Sequence, residues 1–140
     1  MKQLFFVLVF LISFINFAQD STNVKAETPK IVSRLEFGKV LQVDDVELKF
    51  VEVLSDSRCP KNVTCIWAGE AVVLVDVYKN GKKLEQKKLT FNPSSQLQNQ
   101  FANLFASENL NISAYNVSPY PVYKEKIKPE DYYIQLEVKN

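Results

Sequence analysis

The residues equipped for chemistry crowd into one stretch, Asp56 to Glu70. It holds both cysteines of the chain, Cys59 and Cys65, and the only tryptophan, Trp67. Arg58 stands directly before the first cysteine, and the carboxylates Asp56 and Glu70 flank the whole. Cysteines so close in sequence close a small ring, and in an oxidising compartment such a pair is expected as a disulfide. Two thiolates supply half of a tetrahedral zinc set, and no histidine is present to complete it. The Cys-x-x-Cys spacing that tunes a redox thiol is absent. Closing so short a ring stabilises by about 2 to 2.5 kcal/mol, enough to shape a loop rather than to hold up a domain.

Around the ring, two arrangements compete. A rigid loop presenting Trp67 and Arg58 has the composition of a binding hot spot, with Asp56 and Glu70 beside it. A tryptophan next to a cystine more commonly packs over it, with Arg58 paired to Asp56 or Glu70 and fixing the loop. The carboxylates Asp56 and Glu70 are the best available pair for acid–base hydrolysis, although a chain with 16 acidic residues brings such pairs together by chance. An arginine beside a cystine also fits the reactive loop of a proteinase inhibitor, where preorganisation limits the cost of ordering.

The absence of histidine removes the usual serine and cysteine triads, histidine-bearing metal sites and the commonest general base near neutral pH. Only three glycines exist, far apart, so no phosphate-cradling loop is present. With 17 basic and 16 acidic residues the net charge is +1, which argues against a nucleic-acid partner. Neither enzymatic activity nor a cofactor or metal is expected.

The run Asp56-Ser57-Arg58-Cys59-Pro60, followed after four residues by Cys65-Ile66-Trp67-Ala68-Gly69, resembles the signature of an uncharacterised family of small bacterial envelope proteins, secreted or lipid-anchored. The resemblance extends to a strand before the motif, a hydrophobic strand after it, and a Pro119-Tyr120-Pro121 segment ahead of a final strand. It implies an envelope location and no particular catalytic residue. Some members carry a lipid-accepting cysteine after the leader; here Gln19 and Asp20 stand in that place.

The elements that must position the loop follow from the pattern. Residues 1–18 read as a secretory signal, with Lys2 as the positive region, Leu4 to Ile15 as the apolar core and Ala18 at the cleavage side. The apolar run is short for a membrane span. Residues 19–30 are polar and aperiodic, a flexible arm. Residues 31–140 form a single domain, with 46% apolar residues over the whole chain.

Period-two alternation marks strands over Ile31–Phe37, Val40–Val43 and Val46–Leu54, with a break near Gly38, a turn at Asp44-Asp45 and a register change near Val51. Ala71–Tyr78 is apolar on both faces at its start and belongs in the middle of a sheet. Asn80-Gly81 predicts a type I′ hairpin leading to Lys82–Phe91, whose lysines suit a solvated edge strand. Leu97, Phe101, Leu104 and Phe105 recur at helical spacing behind Ser95 as N-cap, predicting a short helix. Leu110–Val117 and Tyr132–Val138 complete about seven strands.

The predicted fold is therefore an all-β, immunoglobulin-like sandwich with one short helix, a small barrel being the alternative. The expected protein is a secreted or periplasmic, monomeric binding module without a transmembrane segment after leader removal. It would meet a protein or glycan through the loop from Asp56 to Glu70. The proteinase inhibitor and the carboxylate hydrolase remain as alternatives.

Overall fold

A computed structural model describes residues 31–93 and 101–140. Eight strands run β1 Ile31–Glu36, β2 Val40–Val43, β3 Val46–Asp56, β4 Ala71–Lys79, β5 Lys82–Phe91, β6 Ala102–Ala106, β7 Asn111–Ser118 and β8 Tyr133–Lys139. They form two four-stranded antiparallel sheets, ordered β1-β8-β7-β6 and β2-β3-β4-β5. The expected β-sandwich is what the chain builds. Its strands follow one another in sequence order around the molecule, as in an up-and-down barrel opened along two seams, rather than in Greek-key order.

The core lies between the sheets because alternate residues of each strand are apolar. Leu48 and Phe50 of β3, Val73, Val75 and Val77 of β4, and Ile134 and Leu136 of β8 are fully enclosed. β4 is an inner strand, as its two-faced apolarity predicts: on its outer face Asp76 is covered too, receiving hydrogen bonds from Gln86 at 2.8 Å and an ion pair from Lys83 at 2.7 Å. Of the β5 lysines, Lys83 is thus engaged, and Lys87 pairs with Glu85 at 3.2 Å.

Asn80 (φ 51°) and Gly81 (φ 74°) make the β4–β5 turn with two positive φ angles, the conformation the Asn-Gly pair favours. The register of β3 on β4 slips between Phe50 and Glu52 and again between Val53 and Ser55, so its upper half is twisted by two bulges.

One prediction fails. Ser95 and Leu97 lie outside the described residues, but Leu104 and Phe105, assigned by spacing to a helix, belong to strand β6. The register slips between Asn103 and Phe105, a bulge that places the buried Leu104 beside the half-buried Phe105 and erases the period-two signature.

The two ends of the sandwich differ. Ile31 opposite Val138 and Asn111 opposite Lys139 mark one end; Glu36 and Ser118, both opposite Tyr133, mark the other. The loop between β3 and β4 leaves from that second end, where Asp56 faces Ala71 in the last β3–β4 pair.

Candidate functional site

Beyond Asp56 the two chains stay paired for a short way. Ser57 N donates to Glu70 O at 2.8 Å, and the Ser57 hydroxyl both donates to that carbonyl (3.0 Å) and accepts from Glu70 N (3.1 Å). Cys59 N donates to Ala68 O at 2.8 Å. Between these rungs Gly69 adopts φ +69°, and a Cβ there would sit 1.9 Å from Ser57 O, so no side chain fits. The Cys59–Cys65 disulfide closes the outer part, with Cα atoms 6.0 Å apart. Lys61 then ties the ring sideways: its N–H donates to Pro121 O at 2.9 Å, and it forms a parallel bridge with Val122.

Arg58 is the bolt of this assembly. Only 5% exposed, it donates from Nε to Asp56 Oδ1 (2.8 Å) and from Nη2 to Asp56 Oδ2 (2.6 Å), a two-point ion pair. Its remaining donors cross to the other sheet, Nη1 to Val117 O at 2.6 Å and Nη2 to Pro119 O at 2.9 Å. The guanidinium also lies 5.0 Å from the centre of the Tyr120 ring. The cis Ser118–Pro119 bond and the Pro119-Tyr120-Pro121 run lead the chain past this charge. The sequence motifs Asp-Ser-Arg-Cys-Pro and Pro-x-Pro are thereby two halves of one contact.

Asp56 has a second partner, the Tyr132 hydroxyl, which donates to Oδ2 at 3.0 Å. Burial pushes the Asp56 carboxyl up, but the Arg58 hydrogen bonds and charge, with Tyr132, outweigh it and hold the group below the ordinary carboxylate value. Tyr132, itself buried and facing that anion, is pushed up to about 12. Asp56 is therefore an ionised structural carboxylate rather than a poised general acid, and Glu70 is exposed, joined to the assembly through its backbone. The side-chain partners of Asp56 are Arg58 and Tyr132, and the contacts of Glu70 to the loop are made by its backbone. Arg58, buried and held by four acceptor contacts, is turned into the molecule rather than presented from the loop.

Trp67 behaves in the opposite way. It is 79% exposed, and its neighbour Ile66 is 97% exposed, with Val63 of the same ring also turned outward. Of the two arrangements the sequence allowed, each supplies one half: Arg58 is internal and paired, as in the structural version, while Trp67 is presented, as in the binding version. An open groove of about 550 Å³ beside the loop base includes Asp56, Pro121 and Tyr132, and neither Ile66 nor Trp67 lines it.

Among the tyrosines, Tyr132 supports Asp56, Tyr120 flanks Arg58, and Tyr133 lies under Arg34 at 3.7 Å. Tyr123 is exposed beside the loop, with Lys124 Nζ 5.3 Å from its ring. No group of three or more histidine, cysteine, aspartate or glutamate residues among the described residues is placed to hold a metal ion.

Sequence reasoning missed Ile66 and Tyr132. Ile66 had a signal in its position, since it directly follows Cys65, where the chain leaves a small closed ring that has no interior to bury it. Tyr132 had none, because its role depends on Asp56, 76 residues away. Comparison of the chain with protein-family models, with curated proteins and with solved structures returned no match, so the functional reading rests on this geometry.

Proposed function

We propose that this protein is a non-catalytic interaction module of the cell envelope, secreted or periplasmic, whose working surface is the disulfide-pinned loop from Asp56 to Glu70. Ile66 and Trp67 are its anchors, while Arg58 and Asp56 are the footing that holds them out. The observation that supports this reading is the exposure of an adjacent isoleucine and tryptophan, 97% and 79%, on a loop fixed by a disulfide and a buried ion pair. Left in water, such side chains forfeit about 1.5 to 3 kcal/mol each that burial would return. A loop already ordered on both flanks adds little entropic cost to binding.

A photo-crosslinking residue at position 66, activated in intact cells, tests the reading. The expected result is a discrete adduct that is absent when the same residue stands at position 84, where an exposed leucine lies far from the loop. Equal labelling from both positions, or none from 66, removes it.

A further inference from the structure

The chemistry of the loop tip narrows what it meets. The exposed large apolar side chains of the loop are Ile66, Trp67 and, less so, Val63. A specific protein interface needs roughly 800 Å² on each side, with a polar rim around an apolar centre. Three apolar side chains, of which a tryptophan buries roughly 150–250 Å², make only the centre of such an interface, whereas a few exposed apolar side chains suffice for shallow entry at the boundary between lipid headgroups and acyl chains.

The surroundings point the same way. Between Ser57 and Gly69 the chain carries Lys61 and no carboxylate, and the Arg58 charge is consumed by Asp56. Beside the ring stand Tyr120 and Tyr123, each with a lysine near its face: Lys61 at 6.0 Å from Tyr120 and Lys124 at 5.3 Å from Tyr123. In sequence Lys126 follows, and the nearby acids are Glu70, directly after Gly69, and Glu125. Tryptophan and tyrosine with flanking lysines are the residues that settle at a membrane–water interface, rings at headgroup level and ammonium groups on lipid phosphates.

Resting on the interaction-module reading, we infer that the loop tip inserts into a lipid bilayer surface, with Ile66 and Trp67 passing below the headgroups and Lys61 and Lys124 on their phosphates. The hold is reversible, because two side chains and two cations make a shallow anchor.

Trp67, as the only tryptophan, reports this event alone, whatever the rest of the chain does. The oxidised protein, recovered as its own cells make it, is titrated with vesicles of phosphatidylcholine mixed with phosphatidylglycerol. Insertion moves the Trp67 emission to shorter wavelength, and lipids brominated in the acyl chain quench it. Ile66→Ser weakens the response about tenfold, the loss of one buried aliphatic side chain, and Leu84→Ser leaves it unchanged.

An emission unchanged at vesicle excess, without bromine quenching, overturns the inference. If the crosslinker at position 66 still captures a protein or glycan in cells, only the lipid assignment falls and the module stands. If neither vesicles nor crosslinking respond, both fall together.

Discussion

At the scale of single residues, Arg58 and Trp67 are neighbours on one loop with opposite duties, and mutation should separate them. Arg58→Ala leaves Asp56 half-buried without its cation and abandons the Val117 and Pro119 carbonyls; it should cost about 3 to 5 kcal/mol in a urea titration. Arg58→Lys keeps the charge but not the two-point geometry and should fall between that variant and the parent. Trp67→Ala, at an exposed site, should stay within about 0.5 kcal/mol of the parent.

The same cluster sets two limbs of the pH profile. The folded Asp56 pKa lies below its unfolded value, so its contribution is complete above the ordinary carboxylate range and is lost as pH falls through the folded value. Asp56→Asn should flatten that acid limb. Tyr132 is shifted the other way: its contribution is complete below pH 10.0, the ordinary tyrosine value, and disappears as pH rises towards about 12. Tyr132→Phe should flatten the alkaline limb, while the acid limb survives in weakened form. Stability measured against pH by chemical denaturation checks both signs. The Arg58–Asp56 pair was legible as one of two local options, but its long-range half was not, because Arg58 meets acceptors 59 and 61 residues away and Tyr132 reaches Asp56 across 76 residues.

At the scale of elements, the loop owes its shape to the Ser57–Glu70 and Cys59–Ala68 rungs as much as to the disulfide. Replacing Cys59 and Cys65 together by serine should lower stability by about 2 to 2.5 kcal/mol and leave the sandwich folded, as judged by denaturation midpoint and far-ultraviolet dichroism. Gly69→Ala should cost more than 1 kcal/mol, because it meets both an unfavourable φ and the Ser57 carbonyl, and relaxing it means parting the rungs. Legibility among the elements tracked locality. The β4–β5 hairpin was plain, since Asn80-Gly81 dictates its own turn, and the slip of β3 near Val51 showed as a break in alternation. β6 was not legible, because its bulge at Leu104 sets two apolar residues side by side and imitates the spacing of a helix. The disulfide followed from cysteine spacing alone, but the outward stance of Trp67 did not, as burial against a cystine is the commoner arrangement.

At the scale of the whole molecule, two sheets wound in sequence order share a core, and the long β3 and β4 carry the loop beyond it. A core cut such as Leu136→Ala should destabilise by about 2 to 5 kcal/mol without touching tip presentation in whatever fraction stays folded, so Trp67 emission in the native state should match the parent. The pairing of Ile31 with Val138 carries a practical corollary. β1 begins and β8 ends at the pole opposite the loop, roughly 20 Å of strand away, so the protein has a handle and a head. Beads, dyes or carrier domains hung from either handle strand leave the head unobstructed, and a molecule tethered that way offers its Ile66–Trp67 face outward in one uniform orientation.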